Sequence, residues 1–86
     1  MYTVRLLRSA EKALRKLPPQ ARGRIERRLS ELEGNPRPPG VRKLSGRDDE
    51  WRLRVGDYRV IYRIRDEILE VLVIDVGDRR DVYRRR

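Results

Sequence analysis

The sequence predicts an α+β fold in which an N-terminal strand and an αα-hairpin precede a three-stranded antiparallel meander, with the helices packed on one face of a four-stranded sheet. Apolar residues repeat at helical spacing in the first half and alternate as in strands in the second half. We expect residues 1–86 to form a single domain, and a domain of 86 residues buries only about 60 % of its unfolded surface. Its core is therefore predicted to be thin.

The first half contains one predicted strand and two predicted helices. Residues 2–7 are a short apolar and β-branched run, which predicts the first strand. Ser9 is the predicted N-cap of the first helix, and Glu11 lies in its favourable first turn. Pro18 and Pro19 end this helix and start the second, since proline suits a first helical turn. The two apolar stripes are Ala10, Ala13, Leu14 and Leu17, and then Ala21, Ile25, Leu29 and Leu32.

Three strands follow a loop that is rich in glycine and proline at residues 35–40. The strands are predicted at residues 51–55, 58–65 and 68–76. Gly56 opens the first turn, because glycine at the first central position suits a two-residue type II′ hairpin. Asp66 and Glu67 are predicted to form the second turn.

The turn at residues 56–57 determines which hairpin side chains share a face of the sheet. One face is apolar and is predicted to be the core under the helices: Trp51, Leu53, Val55, Tyr58, Val60, Tyr62 and Ile64. The opposite face carries Arg52, Arg54, Arg59, Ile61 and Arg63. Arg54 is placed directly opposite Arg59, and like charges in such a pair are destabilising.

The second predicted turn pairs Arg63 with Glu70 and leaves three arginines without an obvious partner, Arg52, Arg54 and Arg59. Because they are clustered on one face of a rigid sheet, we predict that they bind an anion. The alternative is that they extend into solvent, as most charged surface residues do.

The charge balance favours an anionic partner, namely nucleic acid, a ribonucleoprotein or an acidic protein. The 23 lysines and arginines outnumber 14 aspartates and glutamates, which gives a formal charge of +9. All but three of the basic residues are arginine, whose guanidinium group binds two oxygens at once, although a high-GC genome or a thermophilic source would also raise the arginine content.

The sequence contains neither cysteine nor histidine. This excludes disulfides and thiolate zinc sites, and it removes the usual general base near neutral pH. There is also no apolar run long enough to cross a bilayer and no signal-peptide h-region. We therefore expect a cytoplasmic protein that uses no metal or other cofactor and does not contact membranes.

Three segments of the sequence resemble the RelE/ParE superfamily, the toxins of bacterial and archaeal toxin–antitoxin pairs. They are residues 42–46, residues 51–62 with their Gly-Asp-Tyr-Arg block, and residues 76–84. The resemblance is greatest to the RelE branch, whose members are endoribonucleases that cut mRNA in the ribosomal A site. It implies a RelE-like toxin domain whose partners are a cognate antitoxin, the ribosome and mRNA.

The resemblance also implies roles for individual residues. Arg59 resembles the phosphate-stabilising arginine of the RelE branch, and Arg79 resembles the second one, with Arg80 as a near alternative and a predicted RNA contact. Tyr83 resembles the C-terminal tyrosine that stacks on the substrate or exchanges protons with it. From the residues alone, a half-buried packing role is an equal alternative for Tyr83.

Arg52 and Arg54 complete the predicted catalytic set, at positions where some relatives have lysine. Lysine can transfer a proton, whereas arginine effectively cannot. Asp78 stands where relatives often have histidine. We also expect Arg42 and Lys43 to bind RNA.

The sequence thus favours a ribosome-dependent endoribonuclease that works with arginine electrostatics and a tyrosine. Such a weak base would need the ribosome to orient the attacking 2′-hydroxyl. One alternative is a ParE-like toxin that binds and poisons DNA gyrase without cutting RNA. Another is a plain nucleic-acid-binding module, although no helix-turn-helix or RNA-recognition signature is present.

Overall fold

In the computed structural model, which describes residues 1–44, 46 and 49–78, two helices cover one face of a five-stranded sheet. The elements are β1 (Thr3–Leu6), α1 (Arg8–Arg15), α2 (Pro19–Leu32), β2 (Arg42–Lys43), β3 (Glu50–Val55), β4 (Tyr58–Arg65), a 3₁₀-helix (Asp66–Ile68) and β5 (Glu70–Asp78). The strand order is β1-β5-β4-β3-β2, with β1 parallel to β5 and the other pairs antiparallel. The predicted α+β class is confirmed, and β2 is an additional strand that the sequence did not predict.

The start of α1 is fixed by the preceding strand. Leu7, and not Ser9, is the N-cap, and it makes no side-chain capping bond. The Leu7 N–H donates to the Val73 carbonyl in β5 (2.9 Å), while the Leu7 carbonyl accepts the first helical bond from Glu11 (2.9 Å). The predicted cap at Ser9 is therefore wrong, because strand pairing holds Leu7 extended and the helix begins directly after it.

The proline pair separates the two helices as predicted. Pro19 is the first residue of α2, and Pro18 is its N-cap, with a carbonyl that accepts the Arg22 N–H at 2.9 Å. Proline at this position loses no helical bond, because the first N–H groups of a helix have no intrahelical acceptor.

The core lies between the helices and the inner face of the sheet. The predicted inward residues of the hairpin are buried or packed against the core. Tyr62 is fully buried, donates its hydroxyl to the Pro36 carbonyl (2.8 Å), and has a pKa that burial raises to about 12. The other large apolar side chains that are fully buried in this core are Ile25, Leu32, Leu53, Val60, Val71, Val73 and Val76, and Ile61 is fully buried on the opposite face of the sheet.

The β3–β4 hairpin has the predicted register and turn. Val55 pairs with Tyr58, and Arg54 pairs with Arg59. Gly56 has a φ of 59°, in the left-handed region, while Asp57 keeps a negative φ, as a type II′ turn requires.

The second predicted turn is wrong. Asp66–Ile68 form a 3₁₀-helix, Leu69 adopts a φ of 52°, and β5 begins only at Glu70. Glu70 therefore pairs with Arg65 rather than with Arg63. The last strand also continues to Asp78, beyond the predicted end at residue 76.

A hydrogen-bonded network explains why the chain makes a longer turn here. The Asp66 carboxylate accepts bonds from the Tyr2 hydroxyl and from Arg37, whose Nη2 lies 2.7 Å away. Hydrogen bonds to Arg37 and Tyr2 hold the pKa of Asp66 below its usual value, and the bond to Asp66 raises the pKa of Tyr2. Arg37 also lies over the Trp51 ring at 5.4 Å, so the network joins the proline-rich loop to the start of the chain, to the 3₁₀-helix and to β3.

β5 contains a bulge at Ile74. Ile61 pairs with Asp75, whereas the next residue of β4, Tyr62, pairs with Val73, so Ile74 is an extra residue. Such an insertion reverses the faces of all residues that follow it.

We expect replacement of the buried Ile25 by alanine to reduce the free energy of unfolding by about 2–5 kcal/mol, because the change leaves a cavity in the core. Ile68, which is 58 % exposed, is the matched control, and Ile68→Ala should change stability by no more than about 0.5 kcal/mol. Urea unfolding measures both values, and equal losses would contradict the described core.

Asp66→Asn should lower stability at neutral pH but have progressively less effect in acid. Because the folded-state pKa of Asp66 is depressed, its contribution is fully present above the unfolded pKa of about 3.9 and is lost as the pH falls through the folded-state value. Urea unfolding at a series of pH values from about 2 to about 7, on both sides of the ordinary carboxyl pKa, tests this.

The control for this measurement is Glu67→Gln. Glu67 is next to Asp66 in the same 3₁₀-helix but makes no hydrogen bond or ion pair with any described residue. A stability difference between wild type and Asp66→Asn that does not change with pH would contradict the role of the carboxylate.

Candidate functional site

Besides Arg5 and Arg65, which lie beside Glu70, five arginines lie on the outer face of the sheet, opposite the core, and we call the surface that these five form the arginine face. They are Arg42, Arg52, Arg54, Arg59 and Arg63. Residues that pair across antiparallel strands share a face, so the pairing of Arg42 with Arg52 and of Arg54 with Arg59 sets two arginine pairs side by side. The predicted cluster is present, and β2 adds Arg42 to it.

Arg59 is buried within the arginine face, with an exposed fraction of only 5 %. Its cross-strand neighbour Arg54 is exposed. On the other side, Arg59 pairs with Gly77, which lies beyond the bulge of β5 and has no side chain. The bulge thus places a glycine beside the most buried guanidinium group of the face. A larger side chain at this position would take up space next to that group.

Arg63 pairs with a different acidic residue from the one predicted. Its Nε and Nη2 atoms lie 3.2 and 3.1 Å from one carboxylate oxygen of Glu50, which is 1 % exposed. Glu70 instead lies 3.3 Å from Arg5 and 3.9 Å from Arg65. The predicted Arg63–Glu70 pair is wrong because the 3₁₀-helix moves Glu70 two positions along β4.

The prediction that Arg52, Arg54 and Arg59 all lack a partner is also wrong. Arg52 and Arg59 each interact with another group of the chain. The register places the carboxylates of Glu50 and Asp75 on the same face as the arginines. Within the described ranges, only Arg54 among the three makes neither a hydrogen bond nor an ion pair.

The remaining predicted site residues differ in how the structure places them. Lys43 pairs with Trp51 and so lies on the inner side of the sheet, away from the arginine face, whereas Arg42 lies on it. The predicted positions Arg79, Arg80 and Tyr83 lie outside the described residues.

The sequence prediction placed Glu70 on this side of the sheet but did not include Glu50 or Asp75. Glu50 stands two residues before Arg52, and this period-two spacing was sufficient to place it on the arginine face. No such local signal identifies Asp75, because its side depends on the bulge at Ile74.

The arginine face is suited to binding an oxyanion. Guanidinium groups donate paired hydrogen bonds to phosphate or carboxylate, and they stay charged at any physiological pH. The face offers positive charge in fixed positions but no histidine or lysine for proton transfer. Its chemical role is therefore electrostatic stabilisation.

The described ranges contain no group of three or more histidine, cysteine, aspartate or glutamate side chains arranged to hold a metal ion. Neither α1 nor α2 has the length and apolar character that crossing a membrane requires, and these are the only α-helices in the described part.

Comparison with known proteins identifies the family. Residues 4–83 match the family model described as the ParE toxin of type II toxin–antitoxin systems, parDE. The chain belongs to this toxin family. The predicted membership of the RelE/ParE superfamily is thereby confirmed.

Individual relatives agree with this assignment. Toxin RelG of Mycobacterium tuberculosis is 38 % identical over 88 residues, covering 98 % of each chain. The archaeal RelE–RelB complex from Pyrococcus horikoshii matches with a TM-score of 0.82 and 32 % identity, covering 91 % of this toxin-family chain and 94 % of the other. The intact Escherichia coli RelBE toxin–antitoxin complex matches with a TM-score of 0.81 and 31 % identity, covering 91 % and 96 %.

Relief of charge repulsion provides a test of the arginine face. Arg54→Gln should raise the free energy of unfolding at low salt by about 0.2–1 kcal/mol, because it removes a like-charge cross-strand pair. The gain should shrink at 1 M salt (about a 3 Å Debye length), where exposed charges are screened.

Arg65→Gln is the matched control, since Arg65 is also an exposed arginine on the outer face of the sheet but pairs with the acidic Glu70. Urea unfolding at both salt concentrations should show no gain for this variant. If Arg54→Gln is as destabilising as Arg65→Gln at low salt, Arg54 and Arg59 do not repel each other.

Proposed function

We propose that this toxin-family chain is a ribosome-dependent endoribonuclease that cuts mRNA in the ribosomal A site and so inhibits translation. The observation that carries the proposal is the direct pairing of Arg54 with Arg59 on one sheet face, with Arg52 next to them on β3. Three guanidinium groups in this arrangement suit a phosphodiester whose negative charge increases during cleavage.

In this proposal, Arg59 stabilises the phosphorane that forms when the 2′-hydroxyl attacks the phosphate. Its burial favours the role, because a guanidinium that is already fixed and largely removed from water needs little reorganisation during the reaction. Arg54 is exposed and reaches the substrate more freely, so we assign it and Arg52 to holding the RNA backbone at the cleaved position.

Proton transfer requires a different residue, because arginine remains protonated. We propose Tyr83 for this role, with Arg79 as the second phosphate-stabilising arginine. Arg80 and Arg42 would bind RNA around the site, and Lys43, on the edge strand β2 but facing the other side of the sheet, would bind RNA away from the cleaved position. Since tyrosine is a weak base at neutral pH, efficient cleavage depends on the ribosome to align the 2′-hydroxyl, which places the activity in the cytoplasm.

We also propose a cognate antitoxin as the cellular partner. Two of the similar structures are RelE–RelB and RelBE complexes, that is, toxins of this fold bound to antitoxins. A chain of net charge +9 is complementary to an acidic protein, and electrostatic complementarity accelerates association and favours the correct partner.

The second candidate is a toxin that binds and poisons DNA gyrase without cutting RNA. The observation in its favour is that the matching family model is that of the ParE toxin. In that case the arginine face would contact protein or DNA.

The proposal is tested by mapping mRNA cleavage in a translation extract by primer extension. Arg59→Ala and Tyr83→Phe should each reduce A-site cleavage by about 10²-fold or more, because each removes a group that acts on the reacting phosphate. Arg8→Ala, at an exposed position in α1, is the control and should cut like wild type.

Because Arg59 is buried, thermal melting must show that Arg59→Ala is folded. Arg59→Lys provides a second variant that keeps the charge but loses the paired donors, and it should retain partial activity. Undiminished cleavage by folded Arg59→Ala and Tyr83→Phe would exclude the assigned roles. DNA breaks with intact mRNA would instead support the gyrase-binding toxin.

A further inference from the structure

A second group of arginines lines a cleft between α2 and the β3–β4 hairpin. The cleft has a volume of about 240 Å³ and is lined by Arg24, Arg27, Arg28, Arg54, Val55 and Gly56. We call it the arginine cleft. Four of its six lining residues carry a positive charge and none carries a negative charge, so the lining of the cleft is strongly positive.

The helix geometry and the hairpin turn bring these arginines together. Arg24, Arg27 and Arg28 are spaced by three and four residues, so they project from one side of α2, next to its buried stripe. Arg24 extends as far as the hairpin turn, because its Nη1 atom lies 3.6 Å from the point where a Cβ of Gly56 would stand. Gly56 thus serves the positive φ of the turn and also leaves room for this guanidinium group.

Most of the positive charge in the cleft has no counter-charge from the described residues. Arg28 forms an ion pair with Glu31 at 3.0 Å, one helical turn along α2. Arg24, Arg27 and Arg54 form neither ion pairs nor hydrogen bonds with other residues in the described ranges. Converging guanidinium groups repel one another, and an anion between them would remove that cost.

The cleft is continuous with the arginine face. Strand β2 pairs only with Trp51 and Arg52, so the edge of β3 beyond Arg52 has no neighbouring strand among the described residues. Arg54 lies at this open edge and belongs both to the arginine face and to the cleft. One basic surface therefore runs from Arg59, around the edge of the sheet, to α2.

We propose that the arginine cleft binds phosphates of an RNA backbone away from the cleaved position, an inference that rests on the proposed function for the identity of the polymer. A chain of regularly spaced phosphates can follow a continuous basic surface of this kind. An acidic peptide would share the charge, but peptide grooves obtain specificity from apolar pockets, and the only apolar side chain lining the cleft, Val55, is 8 % exposed.

The phosphates could belong to mRNA or to ribosomal RNA, and two binding measurements distinguish these sources. The first uses a fluorescein-labelled 2′-O-methyl RNA oligonucleotide, which binds but cannot be cut because its 2′-hydroxyl is blocked. The second uses co-sedimentation with vacant ribosomes that carry no mRNA. Both are performed over a range of KCl concentrations.

The test variant is Arg24→Gln/Arg27→Gln, which leaves Arg54 and the rest of the arginine face unchanged. Loss of two phosphate contacts should weaken binding at low salt and reduce the slope of log K against log[KCl] by about 1.4, since each contact to single-stranded RNA contributes about 0.7. The matched control is Arg8→Gln/Arg15→Gln, which removes two exposed arginines from α1, outside the cleft. It should change the slope by less than half as much.

A reduced salt slope with the oligonucleotide would show that the cleft binds mRNA. A reduced salt slope with vacant ribosomes alone would show that it binds ribosomal RNA. Equal effects of the two double variants would show that only total charge matters and would overturn the proposal. So would weaker binding of a polyglutamate peptide with unchanged binding of both RNA probes, since the site would then be one for an acidic protein.

RNA binding by the arginine cleft and cleavage of mRNA can be tested separately. A wild-type protein that cuts no mRNA but binds RNA through Arg24 and Arg27 would exclude the endoribonuclease and leave the cleft assignment intact. Cleavage that requires Arg59, combined with wild-type RNA binding and salt dependence in the cleft variant, would exclude the cleft alone.

Discussion

The two-residue turn at Gly56 and Asp57 determines the side of the sheet on which each residue of the hairpin lies. A shift of one residue would exchange the faces, placing arginines against the helices and Tyr62 on the outside. With the observed turn, one face provides much of the core and the other holds the arginine face. Stability and the candidate site therefore depend on the same backbone feature.

Concentrating arginines on one face creates a cost that the fold partly offsets. The buried carboxylate of Glu50 holds Arg63, and the bulge in β5 brings Asp75 to the same side. Arg59 also interacts with another group of the chain, whereas its cross-strand partner Arg54 makes neither a hydrogen bond nor an ion pair in the described ranges. Positive charge is thus compensated where it maintains the sheet, and only at Arg54 does this central pair lack a counter-charge from the described residues.

The hairpin and its register were predictable because glycine at the turn and alternation along the strands are local signals. The features that differed from prediction depend on contacts distant in sequence. Tyr2 and Asp66, 64 residues apart, help to hold the 3₁₀-helix that replaced the second turn. Pairing of Leu7 with β5 likewise overrode the capping preference of Ser9. The arginine cleft was likewise not predictable from the sequence, because no local pattern indicates that α2 packs beside the open edge of β3.

In any reaction at this site, stabilisation of negative charge and transfer of a proton would be carried out by different residues. Its arginines can stabilise negative charge but cannot accept a proton, and the carboxylate of Glu50 is buried and bound to Arg63. The candidates for proton transfer are therefore the Asp75 carboxylate on this face, the C-terminal segment that contains Tyr83 and the macromolecule that presents the substrate. Under the proposed function, charge stabilisation is supplied by the arginines, and alignment of the attacking 2′-hydroxyl would be supplied by the macromolecule that presents the substrate.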